Sequence, residues 1–400
     1  MRWTTIDALL GSALFAASGH AANLFVADPS GNLTTLAFTE SETGYNLSIV
    51  SRSLDCGPNP SWLTLDNSNR VLYCLDRGAS SSTSGSLNSF SINGNGELTR
   101  VGRVNAPLSG VAGEIVVTPS GARGYVSASY NKSAAAVFAL GENGALPGTG
   151  PLQQIFPNIS ETGPVPSRQD ASYLHHVILD PTGKYIVMPD LGGDRCRVYT
   201  YDNKSVAPIV EVGSLKAEPG SGPRHGFFRV NKKGETFFFF NGEIDQKVYS
   251  YRVKYQRTGL SFVKVFETTS LEKVFPSGTA PTSGIVMSPD QRFLVVSNRE
   301  NSFRDSPQLG SGPSDSFSTF AIRENGTLKR VQEAPTGGWL PRQFEFNKAG
   351  DKIAVGHQNN QTVVIWKRDV KSGKIVTESE SGKLAEIKLS GRVSATVWDE

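Results

Sequence analysis

The chain has 400 residues and a formal net charge of only +3, from 40 lysines and arginines against 37 acidic residues. Its basic residues are interleaved with acidic ones, so the sequence offers no basic stripe that could neutralise a run of phosphates. This argues against a nucleic-acid-binding protein. The length fits either two average domains or one large closed β domain.

The N-terminus has the order of regions found in secretory signals. Arg2 is followed by a run of small apolar residues at 8–17, and Ala21 provides a small residue at which cleavage is expected. We therefore predict a signal peptide over residues 1–21. The apolar run is too short to cross a bilayer, so no membrane span is expected. The alternative is a disordered or buried N-terminal segment, which Asp7 at the edge of the apolar run would suit.

Seven Asn-x-Ser/Thr sequons follow the predicted signal, most of them in sequences typical of turns. One sequon often arises by chance, but seven behind a signal peptide favour a glycosylated protein of the extracellular space or the cell wall. The candidate N-glycan sites are Asn32, Asn46, Asn131, Asn158, Asn203, Asn325 and Asn360.

Three cysteines are too few for a disulfide scaffold or a zinc cluster. In an oxidising compartment Cys56 and Cys74 could pair locally, which would leave Cys196 over. Cys196 is then expected to be a small buried hydrophobic residue.

A repeated unit runs along the chain: an apolar strand, a tight turn, a second apolar strand and then further strands. It is clearest at residues 174–188, where Asp180, Pro181, Thr182 and Gly183 form the predicted hairpin turn. The copies recur at roughly 50 to 60 residues, an interval typical of four-stranded propeller blades. The related copies are at residues 62–75, 114–127, 224–241, 284–298 and 342–356.

The two chain ends supply the remaining copy. Residues 393–398 have the pattern of an innermost strand, and residues 23–27 have the pattern of the strand that should follow it. The sequence therefore predicts an all-β fold, a single seven-bladed β-propeller over residues 22–400, closed by pairing of N- and C-terminal strands in one blade. Such closure removes the open sheet edges that invite aggregation.

Several segments together resemble one family, the seven-bladed lactonases, which includes 6-phosphogluconolactonases and carboxy-cis,cis-muconate cyclases. The resemblance is carried by residues 175–195, 222–225, 241–243 and 296–300. In the carboxymuconate-lactonising members a histidine, two arginines and a glutamate form the proposed site. By motif, the resemblance places these catalytic residues at His175, Glu243, Arg224 and Arg299.

The repeat itself predicts that these four residues converge. His175 and Arg224 lie near the start of an inner strand, whereas Glu243 and Arg299 lie at the end of the next, antiparallel strand. All four then face one rim of the channel from three consecutive blades. Arginines there would bind a carboxylate and hold developing negative charge, and His175 and Glu243 would be the acid/base pair.

Structural roles are the alternative for each residue taken alone: a histidine bonded to a neighbouring loop, or an Arg-Glu pair that joins blades. Strand alternation also predicts that only one of His175 and His176 faces the channel. His225 and His357 lack partners at metal-ligand spacing, so neither a metal nor a cofactor is predicted. The sequence lacks both a Gly-x-Ser-x-Gly elbow and a glycine-rich phosphate loop.

Two functions follow. The first is a cofactor-independent lactonase or lactonising cyclase that acts on a small carboxylated or lactone substrate at the channel mouth. The alternative is a non-catalytic secreted or cell-wall glycoprotein that uses the propeller for binding or adhesion.

Overall fold

The computed structural model of the protein describes residues 20–300, 314–377 and 381–400. Most of the predicted signal peptide, residues 1–19, lies outside the described residues. His20 and Ala21 are the first two residues of the first strand, so cleavage after Ala21 would leave Ala22 at its start.

Antiparallel strands of the described residues form seven four-stranded sheets, which are the seven blades of a propeller. This confirms the predicted all-β fold. Blade 1 begins with β1 (His20–Ala27), β2 (Leu33–Ser41) and β3 (Gly44–Ser53). Blade 2 has β4 (Pro60–Asp66), β5 (Val71–Asp76), β6 (Gly85–Ile92) and β7 (Leu98–Ala106). Blade 3 has β8 (Gly110–Val117), β9 (Arg123–Ser129), β10 (Ala134–Ala139) and β11 (Gln153–Ile155).

The remaining blades follow the same order, with the innermost strand first. Blade 4 has β12 (Ile178–Leu179), β13 (Tyr185–Asp190), β14 (Arg195–Thr200) and β15 (Val210–Lys216). Blade 5 has β16 (Pro223–Val230), β17 (Thr236–Gly242), β18 (Lys247–Gln256) and β19 (Gly259–Thr269). Blade 6 has β20 (Thr282–Met287), β21 (Phe293–Asn298), β22 (Ser316–Ile322) and β23 (Leu328–Pro335). Blade 7 has β24 (Pro341–Phe346), β25 (Lys352–His357), β26 (Thr362–Lys367) and β27 (Lys383–Lys388).

The last strand, β28 (Ala395–Trp398), closes the ring as the innermost strand of blade 1. It pairs with β1 in the register Leu24 to Trp398 and Ala27 to Ala395. The prediction that both chain ends share one blade is confirmed. The backbone N–H of Asp399 also donates to the carbonyl of Asn23 at 2.9 Å, which extends this pairing beyond the strand.

Helical structure in the described residues is limited to two 3-10 turns, Asn67–Asn69 and Glu142–Gly144. No helix in these residues is long and apolar enough to cross a membrane.

Packing between blades explains why the second strands are continuously apolar. In β17, Phe238 and Phe240 pack toward blade 4 against residues such as Val187, while Phe237 and Phe239 pack toward blade 6. Alternation sends successive side chains to opposite faces of a strand, and both faces are covered by a neighbouring sheet. Complete burial of these phenylalanines, at roughly 1.5–3 kcal/mol for each side chain, therefore holds adjacent blades together.

The hairpin turn that marks the repeat is fixed by an aspartate side chain. The carboxylate of Asp180 accepts from the backbone N–H groups of Thr182 (3.0 Å), Lys184 (2.8 Å) and Tyr185 (2.7 Å). Gly183 adopts φ +68°, which favours glycine. The turn thus joins β12 to β13 at one end of the channel, and the inner strand starts at the other end.

Irregular pairing at the start of the inner strands shapes the channel. The register shifts between Pro60 and Trp62 in β4, between Pro223 and Gly226 in β16, and between Pro341 and Phe344 in β24. A bulge of this kind re-aims side chains, so strict alternation does not hold there. Two consecutive side chains of one strand can then both border the channel.

The cysteines behave as the spacing suggests. Cys56 and Cys74 form a disulfide within blade 2, and Cys196 is free and buried. Burial raises the pKa of the Cys196 thiol well above its usual value, so this thiol is unreactive. Glycosylation remains a prediction; exposed sequon asparagines are Asn46, Asn131, Asn158, Asn203 and Asn325.

Candidate active site

Two positions of each blade recur around one end of the channel. The first is the start of the innermost strand, where blades 5 and 7 carry Arg224 and Arg342, each directly after a proline. The second is the residue after the second strand, whose backbone N–H donates to a carbonyl just before the innermost strand. Arg77, Glu243 and Arg299 occupy this position in blades 2, 5 and 6, with N–H to O distances of 3.0, 2.8 and 3.0 Å. The fold therefore brings these side chains to one rim.

Glu243 is the centre of this cluster because three guanidinium groups contact its carboxylate. Arg168 lies 2.6 Å and Arg299 3.1 Å from Oε1, and Nε of Arg224 lies 2.7 Å from Oε2. Burial alone would raise the pKa of Glu243. The charges of Arg299, Arg224 and Arg168 outweigh burial and hold this pKa well below its usual range. Glu243 is therefore ionised at neutral pH.

Two further arginines have no acidic partner. Neither the side chain of Arg77 nor that of Arg342 makes an ion pair or a hydrogen bond with another described residue. Burial, followed by the charges of Arg224 and Arg299, lowers the pKa of Arg342 well below its usual value. Three arginines thus share Glu243, and Arg77 and Arg342 add positive charge to the described part of the rim, which a bound anion would offset.

His175 lies beside this cluster and is joined to it through His225. The Nη1 atom of Arg224 is 3.3 Å from Nε2 of His225, and that Nε2 is 3.2 Å from Nδ1 of His175. A guanidinium can only donate, so Nε2 of His225 is an acceptor without a proton. His175 must then donate from Nδ1, which leaves its Nε2 as the basic nitrogen.

Both histidines are neutral. Burial, followed by the positive charge of Arg224, lowers the pKa of His175 and of His225 well below 6.5. In the described residues Nε2 of His175 has no hydrogen-bond partner. The arrangement therefore provides a neutral imidazole with a free lone pair, which can take a proton from a reacting group.

The prediction that only one of His175 and His176 faces the channel is wrong, because both side chains contact His225, which borders the channel. The His176 ring stacks on the His225 ring at 4.5 Å, while His175 contacts His225 by its hydrogen bond. The reason is that these residues precede β12, which begins only at Ile178. In the described part of the chain, no group of three or more His, Cys, Asp or Glu residues could hold a metal ion.

Arg168 and Tyr130 were missed by the sequence analysis. Arg168 lies in the long connection between β11 and β12, and its Nη2 donates to Glu243 and, at 3.4 Å, to the Tyr130 hydroxyl. The Tyr130 ring contacts the His175 ring edge to face at 5.4 Å. The one usable signal was the length of this connection, since long loops in compact domains often carry function.

Arg342 and Arg77 were also missed, although the repeat could have found them. Arg342 follows Pro341 as Arg224 follows Pro223, and Arg77 follows a second strand as Arg299 does. Aligning the blades by these positions would have added both to the predicted rim.

Comparison with known proteins agrees with this fold. The profile of the family described as "Lactonase, 7-bladed beta-propeller" matches residues 19–387. A protein of Arthroderma benhamiae named probable 6-phosphogluconolactonase is 27% identical over 362 residues, which cover 89% of this chain and 85% of that one. The 6-phosphogluconolactonase of Bacillus subtilis is 25% identical over 79% of this chain and 82% of its own.

A solved structure, the periplasmic gluconolactonase PpgL of Pseudomonas aeruginosa, superposes with a TM-score of 0.74 at 22% identity, covering 95% of this chain and 99% of that one. The chain belongs to the family of seven-bladed β-propeller lactonases. The family and these relatives support a lactonase and an enzyme, as the sequence analysis predicted.

Proposed function

We propose that this protein is a cofactor-independent hydrolase of small lactones that carry an anionic substituent. The observation that carries the proposal is the rim itself: a neutral histidine with a free nitrogen, three arginines that share Glu243, and two arginines that pair with no acidic group among the described residues. Relatives named 6-phosphogluconolactonase support a phosphorylated sugar lactone as the first substrate to test.

We assign the binding of the anionic substituent to Arg342 and Arg77. Arg224, Arg299 and Arg168 already share Glu243, whereas no carboxylate of the described residues pairs with Arg342 or Arg77. A guanidinium binds a phosphate or carboxylate through two parallel hydrogen bonds. Burial, followed by repulsion from Arg224 and Arg299, lowers the pKa of Arg342, and a phosphate or carboxylate at these two arginines would offset that effect.

The chemical step assigned to His175 is general base catalysis. Its Nε2 takes a proton from water as the water oxygen attacks the lactone carbonyl carbon. The carbonyl oxygen becomes negatively charged and is stabilised by the arginines. The ring C–O bond then breaks, the departing ring oxygen takes the proton from His175, and the new carboxylic acid releases a proton to solvent.

Glu243 is given a positioning role rather than that of a proton donor. Three guanidinium contacts keep it ionised, so it has no proton to give at neutral pH. It holds Arg224 and Arg299 in fixed positions and offsets part of their charge. Ring closure of a carboxylated muconate, the reaction that the cyclase members of the family suggest, would instead need a proton at carbon as the carboxylate oxygen adds to the double bond, and His175 could supply it only after taking one from solvent.

The decisive experiment follows acid release by the purified protein with three groups of substrates. These are 6-phosphogluconolactone, carboxylated lactones and neutral lactones of the same ring size, with carboxymuconate added to detect ring closure. We expect turnover of at least one anionic lactone well above that of its neutral counterpart. Equal or absent turnover across all groups would refute the proposal and favour a binding protein.

We also propose that the protein acts outside the cell or in the cell wall. The signal-like N-terminus, the Cys56–Cys74 disulfide and the exposed sequons support this location. Glycosidase treatment and N-terminal sequencing of the secreted protein test it; an intact Met1 without a mass shift would contradict it.

The pH profile provides a further prediction. Because the pKa of His175 lies well below 6.5, its neutral form persists down to that low pKa and is lost only as pH falls through it. With a carboxylated lactone, kcat/KM should therefore stay nearly constant between about pH 5.5 and pH 7.5. Rates corrected for spontaneous hydrolysis check this, and a half-maximal rate near pH 6.5 would contradict the assigned base.

Arg342→Gln is expected to raise KM for an anionic lactone at least about tenfold, because a charge-assisted hydrogen bond contributes roughly 1.5–3 kcal/mol. The KM for a neutral lactone should change little. Folding should be retained, because no described carboxylate pairs with Arg342 and none would lose its partner in the variant. Arg257→Gln, at an exposed arginine, is the matched control. An equal loss for neutral and anionic lactones would remove Arg342 from anion recognition.

A further inference from the structure

The opposite end of the channel contains a second compartment, which we call the lower cavity. It has a volume of about 860 Å³ and is bordered by Trp62, Glu114, His176, Phe344, Glu345 and Trp398, among others. It also reaches hairpin residues such as Pro181, where inner strands end. The arginine rim lies instead where inner strands begin, so the two compartments occupy opposite ends of the channel.

A partition of side chains separates the compartments. Trp62, His225 and Gln343 border both the lower cavity and the small space beneath Arg224 and Arg342. Trp62 is fixed there because its Nε1 donates to the carbonyl of Gly113 at 3.1 Å. A molecule in the lower cavity would therefore occupy a place distinct from the arginine rim.

Two carboxylates of the lower cavity lack basic partners. Oε1 of Glu114 accepts from the N–H of Ile115 at 3.0 Å, and Oε2 of Glu345 accepts from the N–H of Trp398 at 3.0 Å. The other oxygen of each has no hydrogen bond, and no described lysine or arginine pairs with either group. Burial, the main cause in both cases, raises each pKa to about 7.

The other titratable groups around the cavity do not supply compensating charge. Lys348 and Glu400 at its border offset one another in formal charge, and His176 and His225 are neutral. Once ionised, Glu114 and Glu345 leave the cavity negative, opposite in sign to the arginine rim.

A histidine nitrogen is a second, independent sign of a ligand. The Nδ1 atom of His176 accepts from the N–H of Gly226 at 3.4 Å, so its Nε2 carries the proton. His176 is 9% exposed and borders the cavity, and its Nε2–H has no acceptor among the described residues. Buried donors are normally paired, so this group is suited to an acceptor on a bound molecule.

Size and placement exclude a shared metal ion as the occupant. Glu114 lies in blade 3 and Glu345 in blade 7, three steps apart around the seven-membered ring, which is the largest separation it permits. The volume lies within the range of roughly 300–1,000 Å³ typical of sites for small organic ligands. Aromatic walls from Trp62, Phe344 and Trp398 suit an apolar body and a cationic group.

We propose that the lower cavity binds an organic ammonium compound with an apolar body, its charged nitrogen at Glu114 or Glu345. This site is separate from lactone hydrolysis and does not depend on it. The carboxylates provide charge, the aromatic rings provide contact area and cation–π attraction, and His176 provides a donor.

The test compares three probes of similar shape: 2-phenylethylammonium, 2-phenylethanol and 3-phenylpropanoate. Binding is measured by calorimetry and by quenching of tryptophan fluorescence. We expect the ammonium ion to bind at least about tenfold more tightly than the alcohol, and the carboxylate to bind weakest. The affinity of the protein for the ammonium ion should increase from pH 6 to pH 8 as Glu114 and Glu345 lose their protons. Equal affinities for ammonium and alcohol would overturn the proposal.

Variants locate the binding. Glu114→Gln and Glu345→Gln should each reduce the preference for ammonium, and the double variant should abolish both the preference and its pH dependence. Each change removes a carboxylate that has no basic partner, so folding is expected to persist and is checked by thermal melting. Glu161→Gln, at an exposed carboxylate, should bind as the wild type does. A preference that survives in the folded double variant would place the site elsewhere.

Saturating inorganic phosphate, which is expected to occupy the arginine rim, separates the two ends of the channel. Phosphate should leave ammonium binding intact. Competitive displacement by phosphate would show that the probe occupies the rim instead of the lower cavity, and would also overturn the proposal.

Discussion

Replacing His175 with glutamine is expected to lower kcat/KM for the best lactone about 10²- to 10⁴-fold, the usual contribution of a positioned general base. Glutamine keeps a polar group near His225 but has no basic nitrogen. The free Nε2 of His175 is the feature lost, whereas the arginines that bind the substrate remain. We therefore expect KM for an anionic lactone to change much less than kcat, as steady-state kinetics will show.

The matched control is His357→Gln. His357 is also buried, and its pKa is lowered to about 3 by burial, but its Nδ1 contacts the Thr362 hydroxyl at 3.2 Å within blade 7. If losing a buried neutral imidazole merely loosened the propeller, both variants would lose activity together. A His175→Gln enzyme with near wild-type kcat would exclude His175 as the base.

Glu243→Gln is expected to destabilise the protein by about 3–5 kcal/mol, the usual cost of removing one partner from a buried ion pair. Arg168, Arg224 and Arg299 would all lose the carboxylate that they share, so less of their positive charge would be compensated. Thermal melting should show the loss. Inorganic phosphate should restore more stability to this variant than to the wild type, because an anion can replace the missing charge.

Glu324→Gln provides the comparison at the surface. Glu324 pairs with Arg229 at 2.8 Å but is largely exposed, so its removal should leave the melting temperature nearly unchanged. If Glu243→Gln melted like Glu324→Gln, with no added effect of phosphate, the rim would not be the charged, desolvated cluster described above.

The fold could be predicted from sequence because short local patterns identify each copy of the repeat. The turn at Asp180 to Gly183 and the apolar strands on either side of it identify a hairpin without reference to the rest of the chain. Six copies of the repeat could be counted between the chain ends, so the segments around Phe25 and Trp398 were expected to share the remaining blade. Predicting these features required only periodicity and turn chemistry.

The site was less predictable where it depended on departures from regular structure. The contacts of both His175 and His176 with His225 arise ahead of β12, where alternation does not apply. Arg168 reaches Glu243 from an irregular connection whose path no local pattern specifies. Which arginines lack a carboxylate partner is a property of the assembled rim and cannot be read from spacing.

The pairing of β28 with β1 also sets the order of events during synthesis. The innermost strand of the first blade is translated after every described strand of the other six blades, so the first blade has one unpaired edge while those blades are made. Ring closure therefore cannot occur before β28 has been synthesised. A stop codon just before β28 would leave every strand of the other six blades but no closed ring, and the product would expose the edge of β1 to aggregation and to cellular quality control.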